Sequence, residues 1–293
     1  MSATLGVLLK RLDPKITITV YEVAETLSPE ASDGWHNAGT GHAGICELSY
    51  TPNQEADGTV NVTKAIDIFQ EFESSLQFWS QSVKDGILQD PTSFINPVPH
   101  VSFVRTAEQV DYLRARHSGL AQHHFFKSME FSTDPAQIGQ WAPLLTEARD
   151  EELVAATKMN GGSDVNFGAL SRQLLVWLAQ QEGCEVHLGH RVVGLDRNSA
   201  GGWHVQAKQN KTGSISTCET NFVFVGAGGE HSTPPKGRPA RGQRIRRVPH
   251  RRAMARLQRP CHRGSSPSQG LRPSPRRRPH DGRASSRYPH HRR

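Results

Sequence analysis

The sequence concentrates residue types that could do chemistry in three stretches, and the first runs from Trp35 to Pro52. This stretch contains three closely spaced glycines, the amide of Asn37, the hydroxyl of Thr40 and the imidazole of His42. Such a loop can bring backbone donors against the ring of a cofactor and leave His42 facing a substrate. A merely flexible glycine loop is the alternative interpretation.

The second stretch ends at Glu22, which follows the β-branched run from Ile16 to Tyr21. Before that run, leucines at helical spacing predict a helix from Ala3 to Leu12, and Pro14 is a stop signal. Helix, turn, strand and acid make half of a βαβ unit, and in a dinucleotide-binding fold such an acid holds a ribose hydroxyl. A solvated residue at a strand edge is the alternative role for Glu22.

The third stretch is an apolar run, Thr220 to Val225, that leads into Gly226, Ala227 and Gly228. A strand that ends in such small residues lets backbone amides approach phosphates and a ribose without obstruction by side chains. An ordinary strand followed by a turn is the alternative.

The elements that would position these stretches follow from hydrophobic periodicity. Amphipathic helices are predicted from Val62 to Val83 and from Asn166 to Gln181. Short extended pieces and helices alternate between Phe94 and Thr157, as in a substrate-covering domain inserted into another domain. Further strands are predicted at Glu185 to Leu188, Arg191 to Asp196 and Trp203 to Ala207, with a hairpin turn at Lys211-Thr212-Gly213.

The order of these elements predicts an α/β fold, an FAD-binding dinucleotide fold of the two-domain flavoprotein oxidoreductase type, which is incomplete. We expect cofactor-binding elements in residues 1–60, substrate-domain elements in 61–160, a return to the cofactor-binding domain in 161–230, and a separate tail in 231–293.

Charge is divided unevenly along the 293 residues. Residues 231–293 hold 18 Arg and one Lys against one acid, whereas the first 230 residues hold 16 basic and 27 acidic side chains. The tail has too few large apolar residues to offset its chain entropy, so we expect it to be disordered. Nonspecific binding of nucleic-acid phosphates by the tail is one alternative function.

The sequence gives less support to a zinc-binding, a secreted or a membrane-spanning protein. The four cysteines lie far apart without the spacing of a zinc site, which favours idle thiols in a reducing compartment and no bound metal. We find neither a charged-then-apolar leader nor an apolar run of the ~18 residues that a spanning helix needs, so we expect neither secretion nor a transmembrane span.

Several motifs resemble the malate:quinone oxidoreductase family, and they run in family order from Met1 to Gly229. They are MSATLG (1–6), WHNAGTGHAGICELSYTP (35–52), NPVPHVSFV (96–104), YLRAR (112–116), DPAQI (134–138), WAPL (141–144), VAAT (154–157) and DVNFG (164–168).

The resemblance implies an FAD enzyme of the tricarboxylic acid cycle that oxidises (S)-malate to oxaloacetate and reduces a membrane quinone. Its expected location is the bacterial cytoplasm, peripheral on the inner face of the cytoplasmic membrane. The cofactor contacts that the resemblance implies are Ser2 at the phosphate-binding turn, Glu22 at the adenosine ribose, Val192 at the adenine, Asn37, Ala38, Gly39, Thr40, Gly41 and His42 beside the flavin, and Gly226, Ala227 and Gly228.

Malate oxidation requires transfer of hydride from C2 to the flavin, a base for the hydroxyl proton, and cations for two carboxylates. His42 and His100 are the candidate bases. The candidate carboxylate clamps are Arg105, Arg114, Arg116 and Arg172; solvated positions on surface helices are the alternative for each.

The sequence departs from the family pattern at both ends. A buried strand and a Gly-x-Gly pair precede MSATLG in the family, and further segments follow Gly229. We therefore expect the chain to bind FAD poorly or not at all, and we interpret it as N-terminally truncated, with a frameshift after Gly229. An inactive gene product is the remaining alternative.

Overall fold

The computed structural model describes residues 1–41, 43–147, 149 and 152–226. The chain divides into two units, Met1–Pro239 and Ala240–Arg293, and every described residue lies in the first. The helices are α1 (Ser2–Leu12), α2 (Thr63–Lys84), α3 (Ala107–Ala121), α4 (Pro135–Trp141) and α5 (Phe167–Ala179). The strands are β1 (Ile18–Tyr21), β2 (Ile95–Pro97), β3 (His100–Arg105), β4 (Glu130–Ser132), β5 (Val154–Met159), β6 (Ser163–Val165), β7 (Cys184–His187), β8 (His190–Arg197), β9 (Trp203–Gln209) and β10 (Ile215–Thr220).

A parallel pair, β1 with β7, carries the amino-terminal helix and its acid. The register pairs Ile18 with Cys184 and Tyr21 with His187. Helix α1 packs against α5 beside this pair, and Gly6 makes the close approach possible because a Cβ at Gly6 would lie 2.7 Å from a methyl of Leu178. The predicted helix–strand–acid unit is therefore present, with Glu22 directly after β1.

The middle of the chain forms two antiparallel sheets. Strand β5 lies between β3 and β4, and β2 pairs with β6. Helices α3 and α4 cover the three-stranded sheet and bury apolar side chains against it, among them Leu113 from α3 and Ile138 from α4. The alternation predicted between Phe94 and Thr157 is thus a small sheet with covering helices.

Helix α2 is amphipathic, as its spacing predicts. Phe69, Phe72 and Trp79 are buried in the largest core cluster. The rings of Phe72 and Trp79 meet edge-to-face at 6.0 Å, and Trp79 meets Phe94 in the same way at 5.9 Å. Edge-to-face pairs of this kind contribute ~0.5–1.5 kcal/mol each beyond burial, so α2 is anchored along its length.

Strands β8, β9 and β10 form an antiparallel meander, and the hairpin predicted at residues 211–213 joins the last two. The prediction of a strand from Thr220 to Val225 is wrong. Strand β10 ends at Thr220, and residues 222–226 form no strand. No strand of the described residues pairs with this segment, and the side chains of Phe222 and Val225 are exposed.

Candidate functional site

The amino end of α1 and the segment before residue 227 lie together. A Cβ at Gly226 would overlap Oγ of Ser2, so a larger residue at position 226 would displace the Ser2 side chain. The first-turn amides of a helix lack intrahelical partners and favour anions. The structure therefore brings together two of the predicted cofactor contacts, Ser2 and Gly226, while Ala227 and Gly228 lie outside the described residues.

Glu22 sits where the parallel pair meets the meander. Its backbone N–H donates to the carbonyl of His187 (2.9 Å), and its carbonyl accepts from the N–H of His190 (2.9 Å). Oε1 of its carboxylate accepts from the N–H of Ala24 at 2.9 Å. These bonds fix the half-buried acid at the carboxyl end of β1.

An aromatic cluster lies beside Glu22. Tyr21 stacks on His187 with ring centroids 5.3 Å apart, and its hydroxyl is 3.6 Å from Sγ of Cys218 on β10. Burial, with the bond to Cys218 second, raises the pKa of Tyr21 to about 12. The cluster ties the parallel pair to the meander. Val192, the expected adenine contact, is exposed on β8 within that meander.

The glycine-rich loop has a fixed conformation. The side-chain amide of Asn37 donates to the carbonyl of Asp33 (2.7 Å) and to that of Ala31 (3.0 Å), and its oxygen accepts from the N–H of Gly39 (2.8 Å). Ala38 is exposed at this turn. Asn37 therefore shapes the loop that follows it, which the sequence could not show.

Strand β6 holds the next part of the loop. The N–H of Gly41 donates to the carbonyl of Ser163 (2.9 Å), the N–H of Val165 donates to the carbonyl of Gly39 (2.6 Å), and Thr40 forms a β-bridge with Asp164. Gly39 has φ +63°, a left-handed conformation that favours glycine. These bonds oppose the interpretation of a merely flexible loop. His42 lies outside the described residues.

Helix α2 presses on the same loop from the other side. A Cβ at Gly41 would lie 2.8 Å from the Phe72 ring, and one at Gly44 would overlap the backbone of Ala65. Gly44 also has φ +67°. Gly39, Gly41 and Gly44 are consequently clamped between β6 and α2. All three are required by space, and Gly39 and Gly44 by conformation as well.

His100, the second candidate base, has both ring nitrogens engaged. Nε2 lies 3.2 Å from the carbonyl oxygen of Ser163, which can only accept, so Nε2 carries the proton. Nδ1 is then the acceptor and lies 3.7 Å from Sγ of Cys46. The ring is buried beside Gly162, where any Cβ would overlap it. His100 thus supports the carbonyl that also binds Gly41.

The candidate arginines do not converge on one point. Arg105 is at the opposite end of β3 from His100 and forms an exposed ion pair with Glu152 at 3.5 Å. Arg114 lies over the ring of Phe131 at 4.8 Å. Arg172 is exposed on α5, and a Cβ at Gly168 would lie 3.2 Å from its Nη1.

Arg116 is fully buried and donates to backbone carbonyls of the glycine-rich stretch. The expectation that it clamps a substrate carboxylate is therefore not supported by its position, since its surroundings are protein backbone rather than an open site.

Some residues that contact the candidate site were not predicted from the sequence. Cys46, Ser163 and Gly162 contact His100, and burial raises the pKa of the Cys46 thiol. Tyr112 stands four residues before Arg116, and that spacing on one helix face was a signal that both side chains reach the same neighbour.

None of the helices in the described residues combines the length and the apolar character of a transmembrane span.

Comparison with known proteins identifies the family that the chain resembles. The family model described as malate:quinone oxidoreductase (Mqo) matches residues 1–233. The probable malate:quinone oxidoreductase 2 of Pseudomonas aeruginosa is 49% identical over 230 residues, which are 78% of this chain and 45% of that protein. The probable malate:quinone oxidoreductase of Micrococcus luteus is 50% identical over 230 residues, or 78% of this chain and 46% of that protein.

A solved structure, glycine oxidase from Geobacillus kaustophilus, is similar with a TM-score of 0.50 at 16% identity, covering 73% of this chain and 49% of that one. This likeness shows the fold alone, and it confirms the fold class predicted from the sequence, an incomplete FAD-binding dinucleotide fold of the two-domain flavoprotein oxidoreductase type. Within that class the chain belongs to the malate:quinone oxidoreductase family. The chain spans about half the length of the curated relatives it matches.

Proposed function

We propose that this protein catalyses the FAD-dependent oxidation of (S)-malate to oxaloacetate and passes the electrons to a membrane quinone. One observation carries the proposal: the loop from Asn37 to Gly41, in a chain that belongs to this family, is held rigidly against β6. A loop whose backbone is already fixed needs little reorganisation when charge develops on a cofactor ring beside it.

The residues present fit a dinucleotide cofactor. The backbone at Gly226 approaches Ser2 so closely that a Cβ there would overlap Oγ of Ser2, and the first turn of α1 contains no acidic residue that would repel a pyrophosphate. Glu22 would hold the adenosine ribose, and the backbone of Val192 would lie by the adenine. When bound, FAD supplies the acceptor for the hydride of malate C2.

The protein's own residues would bind malate and remove its hydroxyl proton. Of the two candidate bases, His42 is the one we propose, because both ring nitrogens of His100 are engaged. Of the arginines, we propose Arg172 as a carboxylate clamp. It is exposed near the loop from Ser32 to Asn37, since a Cβ at Gly168 would lie close to both Ser32 O and Arg172 Nη1.

The proposed setting is the tricarboxylic acid cycle, on the inner face of the bacterial cytoplasmic membrane. The names of the matched relatives include the quinone. A quinone is apolar and dissolves in the bilayer, so an enzyme that reduces it must reach the membrane surface. We propose that the protein meets this requirement by peripheral attachment, as the resemblance to the family implies.

The test is a malate:quinone assay on the purified 293-residue chain supplemented with FAD. We expect reduction of a soluble quinone analogue with (S)-malate and not with (R)-malate. Arg172→Lys should raise KM for malate by roughly tenfold, since lysine cannot bind a carboxylate through two parallel hydrogen bonds. Arg197→Lys is the matched control, because Arg197 is an exposed arginine on β8, and this substitution should leave KM for malate unchanged.

Absence of any malate-dependent reduction would contradict the proposed activity for this chain. Reduction that is the same with Arg172→Lys as with Arg197→Lys would leave the activity standing and remove Arg172 from the site.

A further inference from the structure

Helix α3 sends two side chains from one face into the segment that follows the glycine-rich loop. Tyr112 and Arg116 are four residues apart and so lie above one another on the helix. The Tyr112 hydroxyl donates to the carbonyl of Thr51 and lies 2.9 Å from the Thr51 hydroxyl. Arg116 is completely buried, and its Nε donates to the same hydroxyl at 3.0 Å.

The rest of the Arg116 guanidinium reaches the loop itself. Nη2 donates to the carbonyl of Gly44 at 3.1 Å and to that of Ile45 at 3.0 Å. Nη1 is buried and has no hydrogen-bond partner among the described residues. Burial lowers the pKa of Arg116, while Tyr112 and Cys46 oppose that change.

Among the described residues Arg116 forms no ion pair with a carboxylate. A buried cation in this situation is costly, because it loses its hydration and gains only the dipoles of carbonyl and hydroxyl groups. Every bond that Arg116 makes among the described residues goes to the segment from Gly44 to Thr51. The planar fork of a guanidinium can reach a hydroxyl and two carbonyls at once, which the single ammonium of a lysine cannot do in the same geometry.

The contacted segment is continuous with the proposed flavin-side loop. Gly44 is trapped between Arg116 on one side and the backbone of Ala65 on the other. Gly41, three residues earlier, is bonded to Ser163 and packed on Phe72. A shift of α3 would therefore move Gly44, and Gly41 is only three residues away along the chain.

We propose that Arg116, assisted by Tyr112, is a positioning residue that ties helix α3 to the glycine-rich loop and fixes the loop's place beside the flavin. The flavin in this inference comes from the proposed function, whereas the link between α3 and the loop rests on the contacts of Arg116 and Tyr112 alone. The substrate-side helix α3 and the cofactor-side loop then move as one body.

The experiment uses the full chain without and then with FAD. Arg116→Lys keeps the positive charge that acts on the Cys46 thiol, so a faster reaction of that thiol reports opening of the segment. We expect iodoacetamide to modify Cys46 on the order of tenfold faster, measured by peptide mass spectrometry with Cys184 as the internal reference. Amide exchange should rise in residues 39–51 and not in β8–β10.

Tyr112→Phe, which removes only a hydroxyl, should show the same pattern at smaller amplitude and covers the case in which Arg116→Lys fails to fold. Arg197→Lys is the matched control, because Arg197 also donates to a carbonyl (Gly201, 2.6 Å) but from an exposed site. With FAD bound, Arg116→Lys should alter the visible flavin spectrum, whereas Arg197→Lys should not.

Unchanged alkylation of Cys46 and unchanged exchange in residues 39–51 for both α3 variants would overturn the proposal. A uniform rise of exchange over all described elements would also overturn it, since that is general destabilisation. If the chain binds no FAD, the proposed function fails while the alkylation and exchange results still decide the link.

Discussion

Replacing Gly44 with alanine tests whether the glycine-rich loop is clamped by its surroundings. Gly44 has φ +67°, and a Cβ there would overlap the carbonyl oxygen of Ala65 and lie 3.1 Å and 3.2 Å from its carbonyl carbon and Cα. These are backbone atoms within α2, so they cannot rotate away as a flexible side chain would. Gly86 is the matched control: it has φ +71° but nothing within 4 Å of an added Cβ.

The two substitutions share one cost and differ in another. A left-handed residue that gains a Cβ loses ~1–2 kcal/mol, and the reduced freedom of the unfolded chain returns ~0.4–1 kcal/mol of this. Gly86→Ala should therefore lower the free energy of unfolding by about 1 kcal/mol or less. Gly44→Ala adds the overlap with α2, and overpacking of this kind costs ~1–3 kcal/mol.

Thermal unfolding followed by circular dichroism measures the difference. For a folded region of this size each kcal/mol corresponds to ~2–4 °C. Gly44→Ala should thus melt several degrees below Gly86→Ala, and amide exchange should rise in residues 39–46. Equal melting temperatures for the two variants would refute the clamped loop, because only the backbone conformation would then matter at Gly44.

Three further outcomes follow from individual contacts. Glu22→Gln should weaken FAD binding by roughly tenfold in a fluorescence titration, because a neutral amide replaces the charged carboxylate that accepts from the ribose. The melting temperature should not change, and unaltered affinity would remove Glu22 from the ribose site. Asn37→Ala should lower stability by ~1–3 kcal/mol in denaturant unfolding, since two loop carbonyls and one N–H lose their partner. The pKa of Tyr21 is raised to about 12, mainly by burial, so its stabilising effect is complete below pH ~10 and is lost as pH rises toward 12. The melting temperature of Tyr21→Phe should accordingly fall less between pH ~10 and pH ~12 than that of the unsubstituted protein. An equal fall in both proteins would contradict the raised pKa of Tyr21.

Much of the fold follows from local pattern in the sequence. The aromatic stripe of α2 predicts which face of that helix is buried, and the structure agrees. In α1 the leucine spacing predicts the helix but not its buried face, because Ala3, Gly6 and Val7 are buried whereas Leu8 and Leu12 are exposed. The segment after Thr220 has an equally apolar pattern but no strand. Pattern shows that a segment can pair, whereas pairing also needs a neighbouring strand, and that depends on the rest of the sheet.

The site was less accessible to sequence reasoning. Composition identified the stretch around Gly39 and Gly41 as important, but the same composition suits a mobile loop. What fixes it is a set of long-range contacts with β6 and α2, which no local pattern contains. Arg116 shows the same limit: an arginine predicts a cation for a substrate, and only its complete burial reveals a bond to the backbone instead.

We propose that residues 1–226 hold a flavin dinucleotide through Ser2, Glu22 and Gly226. Equilibrium titration of the purified chain with FAD and with FMN, followed by flavin fluorescence, tests this claim most directly. FAD alone carries the adenosine that Glu22 is placed to bind, so FAD should bind at least tenfold more tightly than FMN. Equal affinity for the two flavins, or no binding of either, would contradict the claim.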